Sequence, residues 1–346
     1  MTETLETQVA AYLDHRMPAA REVEVFDLSR IHGGASRETY RLRARWQEEG
    51  AQKERPLIVR RDPVASLIET ERDLEYRAYQ AFYPVEGVPV PEPLYLEEET
   101  RWLERPFFVM EQIEECEAAS PFADQPFGDK AAKVGAQFWD VLGRIAGADV
   151  EALKLNAFMV APKPEETWAE QLSYWEKVID EDELTPQPVA RAAIRWMRRN
   201  PPPPAQKISM VHGDYRNGNF LFNEAGEIRA ILDWEMCHLG DPLEDLAWAA
   251  DPLWAGTTPD LPGSMVTKAE AIALWEKESG LTADPVSLRW WEIFVSLKGL
   301  AIWISAGQEY QSGSNGDPIN AFSSWVCTDR HNRLLAERLS AFAGGA

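Results

Sequence analysis

The chain has 346 residues, a formal net charge of −22 and an apolar fraction of 45%. This length suits two lobes or domains that share a cleft. The acidic balance argues against nucleic acid and against an anionic membrane surface as partners, because both carry negative charge. It is compatible with a cationic substrate, although a solvated acidic surface is the simpler interpretation.

Cysteine usage and hydropathy indicate a protein of the reducing cytoplasm. The three cysteines match no disulfide framework and no zinc site: Cys116, Cys237 and Cys327. The first residues are acidic and lack the pattern of a secretory signal. The most apolar late segment, residues 290–306, is interrupted by Glu292 and Lys298, so we do not expect it to span a membrane.

The beginning of the chain predicts one helix followed by a small β-sheet. Residues 5–16 have helical spacing, and apolar residues alternate from Val23 onward. Gly33, Gly34 and Ser36 interrupt this alternation and predict a glycine-rich turn between two strands. Such a turn lets the backbone approach an anion closely, and Ser36 adds a hydroxyl. A plain hairpin turn is the alternative.

Two arginines end the third predicted strand. Residues 56–61 form an apolar run that finishes in Arg60 and Arg61, and residues 68–82 predict a helix that contains Glu75. Successive side chains of a strand point to opposite faces. The register of the strand is not fixed by the sequence, so both arginines are candidates for the face that carries function.

A proline-rich connection leads from this sheet to a mainly helical part. Residues 88–93 contain alternating prolines, which favour an extended chain, and a hairpin is predicted after them. Glu111 and Ile113 fall in the segment that follows the hairpin, which we expect to be the hinge between lobes. Helical periodicity then covers three segments: residues 130–146, 167–179 and 188–199.

One later stretch carries most of the chain's candidate chemistry. An apolar strand is followed by the loop His212-Gly-Asp214-Tyr-Arg-Asn-Gly-Asn219, and a hairpin over residues 220–232 leads to Asp233. A hairpin returns the chain beside its own start. We therefore expect the oxygen atoms of Asp214, Asn219 and Asp233 to converge.

These three side chains suit phosphoryl transfer. Asn219 and Asp233 offer the hard oxygen ligands that Mg²⁺ requires when it is shared with nucleotide phosphates. Asp214 would then be left to take a proton from an incoming hydroxyl group. A loop made of ordinary turn residues is the alternative, and the apolar strands that frame each polar element disfavour it.

The segment after Asp233 predicts a capped helix and a tryptophan-rich C-terminal part. Asp241 is predicted as the N-cap, Pro242 as the first helical residue and Glu244 as the partner that completes a capping box. We expect core packing for four later tryptophans: Trp290, Trp291, Trp303 and Trp325.

These motifs resemble the aminoglycoside phosphotransferase and choline kinase superfamily, which has a protein-kinase-like fold. The family pattern His-Gly-Asp-x-x-x-x-Asn followed by Ile/Leu-Asp-Trp/Phe is matched by the loop from His212 to Asn219 and by Leu232-Asp233-Trp. Arg60 at the position of the usual lysine resembles the kinase-like domains related to those fused to acyl-CoA dehydrogenases. One helix end departs from that branch, because Ile145-Ala-Gly-Ala-Asp stands where the branch has a histidine.

The resemblance implies an α+β, bilobal fold of the protein-kinase type. A small antiparallel β-sheet N-lobe would cover residues 1–112, and a larger, mainly helical C-lobe would cover residues 113–346. ATP and Mg²⁺ would bind between the lobes, with Asn219 and Asp233 as the metal ligands and Asp214 as the catalytic residue.

The resemblance also implies roles for residues outside the loop. Arg60 would contact the nucleotide phosphates and pair with Glu75, as a lysine and a helix glutamate do in kinases. The backbone at Glu111 and Ile113 would bind the adenine edge, and Gly33, Gly34 and Ser36 would face the phosphates. His212 and Asp245 would brace the catalytic loop. The superfamily builds its acceptor pocket in the C-terminal helical part, so one or two of the four tryptophans there could line that pocket.

The implied function is ATP- and Mg²⁺-dependent phosphorylation of a hydroxyl group of a small molecule. The oligomeric state is left open. A non-catalytic, nucleotide-binding pseudokinase is one alternative, and the intact Asp214, Asn219 and Asp233 disfavour it. An aminoglycoside-resistance phosphotransferase is the other, and the acidic charge permits it.

Overall fold

The computed structural model describes residues 4–31, 37–62, 72–120 and 123–343. The chain divides into two compact units. The first comprises Met1–Cys116 with Arg229–Glu235, and the second comprises Glu117–Ile228 with Met236–Ala346. The division predicted from the sequence, at residue 112, did not place Arg229–Glu235 in the first unit. The predicted boundary at residue 112 stays a prediction.

The first unit is built on a five-stranded antiparallel sheet. Its elements are α1 (Leu5–Arg16), β1 (Arg21–Ile31), β2 (Glu38–Glu48), β3 (Ala51–Arg61), α2 (Arg72–Phe82), β4 (Pro93–Glu97) and β5 (Phe107–Glu111). The strands are ordered β1-β2-β3-β5-β4. The predicted hairpin after the prolines is confirmed, since β4 and β5 pair antiparallel.

The two helices of this unit contact residues on opposite faces of the sheet. Tyr12 of α1 packs edge-on against Phe107, with ring centroids 4.7 Å apart, and both side chains are fully buried. Tyr76 of α2 packs against the next residue of β5, Phe108, at 5.9 Å. Because side chains alternate along a strand, neighbouring residues of β3 also point to different helices.

The second unit is mainly helical. Its elements are α3 (Ala131–Gly147), α4 (Thr167–Asp182), α5 (Pro188–Arg199), β7 (Ser209–Val211), β8 (Phe220–Asn223), β10 (His238–Gly240), α6 (Leu243–Ala249), α7 (Lys268–Ser279), α8 (Pro285–Ser312), α9 (Pro318–Phe322) and α10 (Thr328–Ala343). Strands β6 (Cys116–Ala118) and β9 (Ile228–Ile231) each contain residues of both units. The combination of a five-stranded antiparallel sheet, smaller sheets and many helices confirms the predicted α+β class.

The central helix of the second unit is the 28-residue α8. It begins where the side chain of Asp284 accepts a hydrogen bond from the backbone nitrogen of Ser287, with Pro285 as the first helical residue, and it ends at Gly313 in the left-handed region. Most of α8 is buried, including Lys298. Within the part of the chain that the structure describes, no helix is long and apolar enough to cross a membrane.

Candidate active site

The polar loop between β7 and β8 is held by backbone hydrogen bonds to one buried carboxylate. Asp245 of α6 accepts from the backbone nitrogens of His212 at 2.5 Å and Gly213 at 2.9 Å. Burial raises the pKa of the Asp245 carboxyl to about 6, and the two hydrogen bonds act in the opposite direction. This aspartate thus fixes the start of the loop.

Gly213 is required by the path of this loop. Its φ of +85° lies in the left-handed region, which side-chain-bearing residues rarely adopt. A Cβ atom at this position would also lie 2.3 Å from the carbonyl oxygen of Met236. The backbone therefore passes too close to its neighbour for any other residue to fit without a shift.

The carboxylate of Asp214 is surrounded by donors. Its Oδ1 accepts from Trp248 Nε1 at 2.8 Å, and its Oδ2 accepts from Asn219 Nδ2 at 2.7 Å. Arg216 Nε donates to both oxygens, at 3.2 and 3.1 Å. The Asp214 backbone nitrogen donates to His212 Nδ1 at 3.2 Å, so the predicted loop-supporting histidine contacts the predicted catalytic residue. The side chain of Asp214 keeps 17% exposure, which leaves it accessible.

Asn219 presents an oxygen atom suited to a hard cation. Its Nδ2 amide group donates both to the Asp214 backbone carbonyl, at 2.8 Å, and to the Asp214 carboxylate. An amide nitrogen has two hydrogens, so both are engaged, and the remaining polar atom of the side chain is the carbonyl oxygen Oδ1. This donor chemistry fits Mg²⁺, which prefers oxygen ligands.

A buried lysine lies beneath the same loop. Lys298 Nζ donates to the Gly213 carbonyl oxygen at 2.5 Å and to Glu244 Oε1 at 2.9 Å. The side chains of Lys298 and Glu244 are both almost fully buried. The other oxygen of Glu244 lies 3.2 Å from His238 Nε2. Burial opposes the charge of Glu244, but Lys298 and His238 hold its pKa at about 2.

The predicted capping box at the start of α6 is wrong. The Asp241 carboxylate does accept from the Leu243 backbone nitrogen at 3.0 Å, and also from Trp291 Nε1 at 3.0 Å. The helix, however, begins at Leu243 after Pro242, and the Glu244 side chain turns to Lys298. A full buried charge attracts a carboxylate more strongly than a neutral backbone N–H does, so the long-range ion pair prevails.

In the first unit, Arg60 lies on the α2 face of the sheet. Its NH1 group is 3.1 Å from Glu75 Oε1, and its NH2 group donates to Asp233 Oδ1 at 2.8 Å. Arg61 points to the other face, where it donates to Glu38 Oε2 at 2.6 Å. The register of β3 therefore places Arg60, and not Arg61, beside Glu75. Burial opposes the charge of Arg60, but Glu75 and Asp233 raise its pKa well above the ordinary value.

A second arginine shares the same glutamate. Arg37 Nε donates to Glu75 Oε2 at 2.9 Å, and its NH1 group donates to Asp62 at 2.5 Å. Glu75 is fully buried, and both arginines are more than 90% buried. One carboxylate is thus clamped between two guanidinium groups. Arg37 was not among the residues predicted from the sequence, although a cation directly after the predicted glycine-rich turn was a signal for it.

Asp233 is held in an unusual backbone conformation. Its φ is +70°, and its backbone nitrogen donates to the buried hydroxyl of Tyr79 at 3.0 Å. The next residue, Trp234, is buried and stacks on Phe82 with ring centroids 4.9 Å apart. The aromatic anchor and the tyrosine bond hold the turn that presents the Asp233 carboxylate to Arg60.

Of the remaining predicted site residues, Gly33, Gly34 and Ser36 lie outside the described residues. Glu111 ends β5, where its side chain accepts from the backbone nitrogen of Glu92 at 3.3 Å, and Ile113 follows in the connection to β6. Asp214 and Asn219 belong to the second unit and Asp233 to the first, so their convergence stays a prediction.

The prediction of core packing is correct for two of the four C-terminal tryptophans and wrong for one. Trp290 and Trp291 are buried in α8, and Trp303 is partly buried. Trp325 is 78% exposed. It sits in a π-helical turn, Ser323–Cys327, in which only Ser323 and Cys327 are buried, so the wide turn directs Trp325 outward.

Comparison with known proteins assigns the family. The model of the phosphotransferase enzyme family, APH, matches residues 27–281. The chain therefore belongs to this family of phosphotransferases.

Curated relatives include larger proteins with acyl-CoA dehydrogenase names. Acyl-CoA dehydrogenase family member 10 of Mus musculus is 29% identical over 226 residues, which are 64% of this chain and 20% of that protein. Family member 11 of Homo sapiens is 24% identical over 259 residues, or 72% of this chain and 31% of that protein. The chain thus spans only a fifth to a third of the length of these two relatives.

Solved structures share the fold. A Ralstonia eutropha protein assigned to the aminoglycoside phosphotransferases superposes with a TM-score of 0.68 at 20% identity, covering 95% of this chain and 98% of that one. A choline/ethanolamine kinase family protein of Mesorhizobium loti gives 0.58 at 17% identity, with 98% and 99% coverage. Aminoglycoside phosphotransferase APH(4)-Ia in a ternary complex with ADP and hygromycin B gives 0.56 at 16% identity, with 95% and 99% coverage. These neighbours confirm the predicted kinase-like fold.

Proposed function

We propose that this chain transfers the γ-phosphoryl group of ATP to a hydroxyl group of a small molecule. The observation that carries the proposal is the carboxylate of Asp214, which is accessible and held by Trp248, Asn219 and Arg216 at the end of a buried strand. A base that is held in one orientation and still reaches solvent is what acceptance of a hydroxyl proton requires.

In the proposed reaction the acceptor oxygen forms a bond to the γ-phosphorus, and the bond from that phosphorus to the β,γ-bridging oxygen breaks. ADP leaves with the bridging oxygen, and the hydroxyl proton passes to an oxygen of Asp214. Catalysis then consists mainly of positioning and of neutralising charge, as in other phosphoryl transfers.

Other residues receive their roles from the same proposal. Asn219 Oδ1 and the Asp233 carboxylate would hold Mg²⁺, which usually binds one or two protein carboxylates together with phosphate oxygens and water. When bound, the ion would neutralise phosphate charge. Arg60 would contact the phosphates, with Glu75 as its anchor. The glycine-rich turn with Gly33, Gly34 and Ser36 would line them, and the backbone at 111–113 would bind adenine.

Support for nucleotide use also comes from the relatives. Ternary complexes of APH(4)-Ia contain ADP or AMP-PNP together with hygromycin B. We extend nucleotide binding to this chain as part of the proposal, and we keep the acceptor class as a small hydroxyl compound. The proposed compartment is the cytoplasm, without a nucleic-acid or membrane partner.

The test is ATP turnover with a panel of hydroxyl compounds that includes amino alcohols, sugars and aminoglycosides, with and without Mg²⁺. We expect ADP release that depends on one acceptor class and on Mg²⁺. Asp214→Asn is the inactive variant, and Asp14→Asn, which changes an exposed carboxylate of α1, is the matched control. Binding of ATP without turnover for any acceptor would favour the pseudokinase instead. Turnover confined to aminoglycosides would identify a resistance enzyme.

A further inference from the structure

One helical turn of α6 holds both the backbone and the carboxylate of the catalytic loop. Asp245 accepts from His212 and Gly213, and Trp248, three residues later on the same helix, donates to Asp214. Residues three apart lie on the same face of a helix, so this arrangement follows directly from the sequence spacing. Every residue of α6 is buried, so the turn that carries both contacts is packed on all sides.

Trp248 has the chemistry of a positioning group. The indole nitrogen is a donor only and cannot accept a proton, so its hydrogen bond orients a carboxylate without competing for the reaction. The 2.8 Å bond reaches Oδ1, and Asn219 reaches Oδ2 at 2.7 Å. With one neutral donor on each oxygen, the plane of the carboxylate is defined independently of Arg216.

The indole is itself immobilised. Trp248 is 1% exposed and packs edge-on against Trp254, with ring centroids 5.2 Å apart. The ammonium group of Lys298 lies 5.2 Å from the centre of its ring, within range of a cation–π interaction. Because the indole cannot move easily, its hydrogen bond fixes the position of the Asp214 carboxylate.

We propose that Trp248 is a positioning residue that orients the Asp214 carboxylate for the hydroxyl proton through its indole N–H group. This inference rests on the proposed function, because it gives Trp248 a part in the same transfer. A misplacement of a catalytic group by about 1 Å can lower a rate by about 10²-fold, so loss of one orienting bond is expected to act on turnover.

The experiment compares Trp248→Phe with Trp275→Phe. Trp275 is also fully buried, and its Nε1 atom has no hydrogen-bond partner among the described residues, so its replacement removes similar volume but no bond. For Trp248→Phe we expect kcat to fall by about 10- to 100-fold while the KM for ATP stays within about twofold. Trp275→Phe should keep kcat within about twofold of the wild type.

Two further variants separate orientation from folding. Replacement of Trp248 by 3-benzothienylalanine exchanges the N–H group for sulfur and keeps the shape, so it should reproduce the loss of kcat even if Trp248→Phe fails to fold. In an Asp214→Asn background, Trp248→Phe should lower the residual rate by less than about twofold, since the effects of coupled groups do not add. A kcat within twofold of wild type for the benzothienyl variant, or full additivity, would overturn the proposal.

A readout independent of turnover distinguishes the two proposals. The ¹H–¹⁵N resonance of the Trp248 indole, assigned by its loss in Trp248→Phe, should move in Asp214→Asn, while the Trp275 indole should not. If the wild type turns over no acceptor and this resonance still moves, the proposed function fails and the hydrogen bond stands without a catalytic role. If the resonance does not move, the positioning contact is refuted, whatever the activity.

Discussion

Asp214 of the second unit and Asp233 of the first are both aspartates of the predicted site, yet their carboxylates have different partners. Asp214 is held by the neutral donors of Trp248 and Asn219 as well as by Arg216. Asp233 is held by the guanidinium of Arg60 at 2.8 Å, which is a full ionic contact. Neutral donors can orient a carboxylate without competing for its proton, whereas the guanidinium of Arg60, which we propose to contact the phosphates as well, would share its donors between protein and nucleotide.

The surroundings of the two aspartates extend this difference. In the second unit, the side chains of Asp245 and Lys298 form hydrogen bonds with the backbone of the loop, so they fix the conformation of its main chain. In the first unit, the contacts join side chains of opposite charge around Glu75. We therefore expect changes around Asp214 to act on turnover, and changes around Glu75 to act on nucleotide affinity.

The largest expected effect is on turnover, from Asp214→Asn. An amide cannot accept the hydroxyl proton, and general-base catalysis contributes typically 10²–10⁴-fold. We expect kcat to fall by about that factor, with ATP affinity kept within a few-fold in calorimetry. Turnover of Asp214→Asn at the wild-type rate would contradict the assignment of Asp214 as the general base.

The next effect is on stability, from Lys298→Met. This change leaves Glu244 buried without its ammonium partner, and removal of one partner of a buried ion pair typically costs about 3–5 kcal/mol. Chemical denaturation should show a loss of that order. Lys268→Met is the matched control, because Lys268 pairs with Glu292 on a half-exposed surface and such pairs contribute about 0–1 kcal/mol. Equal losses in the two variants would contradict the role assigned to Lys298.

The same ion pair predicts a dependence of stability on pH. The pKa of Glu244 is lowered to about 2 in the folded chain from an ordinary 4.5, so its contribution is present above about pH 4.5 and is lost as the pH falls through about 2. The full contribution is roughly 3 kcal/mol. The difference in unfolding free energy between wild type and Glu244→Gln should therefore shrink between pH 4.5 and 2. A constant difference over that interval would contradict the assignment.

In the first unit, Arg60→Met should weaken ATP binding. Loss of a charged hydrogen-bond donor costs about 1.5–3 kcal/mol, which corresponds to about 10- to 100-fold in the KM for ATP. Arg60→Lys keeps the charge but loses the planar fork, so a modest rise in KM is expected. Arg61→Met is the control, since Arg61 lies on the other face with Glu38. A harmful Arg61→Met combined with a harmless Arg60→Met would show that the wrong arginine was assigned.

The smallest effects concern the predicted metal ligands. Asp233→Ala should lower the Mg²⁺-dependent part of ATP affinity by about tenfold, or ~1.4 kcal/mol. Asn219→Ala should lower it less, because a neutral oxygen contributes less to binding a dication. Calorimetry with and without Mg²⁺ provides the measurement. Unchanged metal dependence in Asp233→Ala would remove this residue from the proposed site.

Local pattern was enough for most elements of the fold. The apolar spacing of residues 130–146 predicted α3, which spans Ala131–Gly147, and Pro188–Arg199 was predicted with both ends correct. The loop from His212 to Asn219 and the hairpin after it could also be predicted from the sequence, because strand and turn residues alternate there over short distances. The pairing of Arg60 with Glu75 required the register of β3, which a comparison with kinases supplied and periodicity did not.

Long-range charge was not predictable in the same way. Glu244 was assigned to a capping box from its local sequence alone. Its actual partner, Lys298, lies 54 residues further along the chain, and local sequence does not show which distant residue will pack against it. Lys298 was noted only as one of two charged residues that interrupt an apolar segment, although a charge within such a run is itself a sign of a buried ion pair. Trp248 was missed for a related reason, since its hydrogen bond depends on how α6 packs under the loop.

The place of Lys298 on α8 has a consequence for domain grafting. The segment that the family model matches ends at residue 281, so it contains the loop, Asp245 and Glu244 but not α8 (Pro285–Ser312). A chimera cut at that boundary would bury the Glu244 carboxylate without the ammonium group that neutralises it and supports Gly213. Recombination boundaries for this chain therefore belong after Ser312, even though the recognisable motifs end well before it.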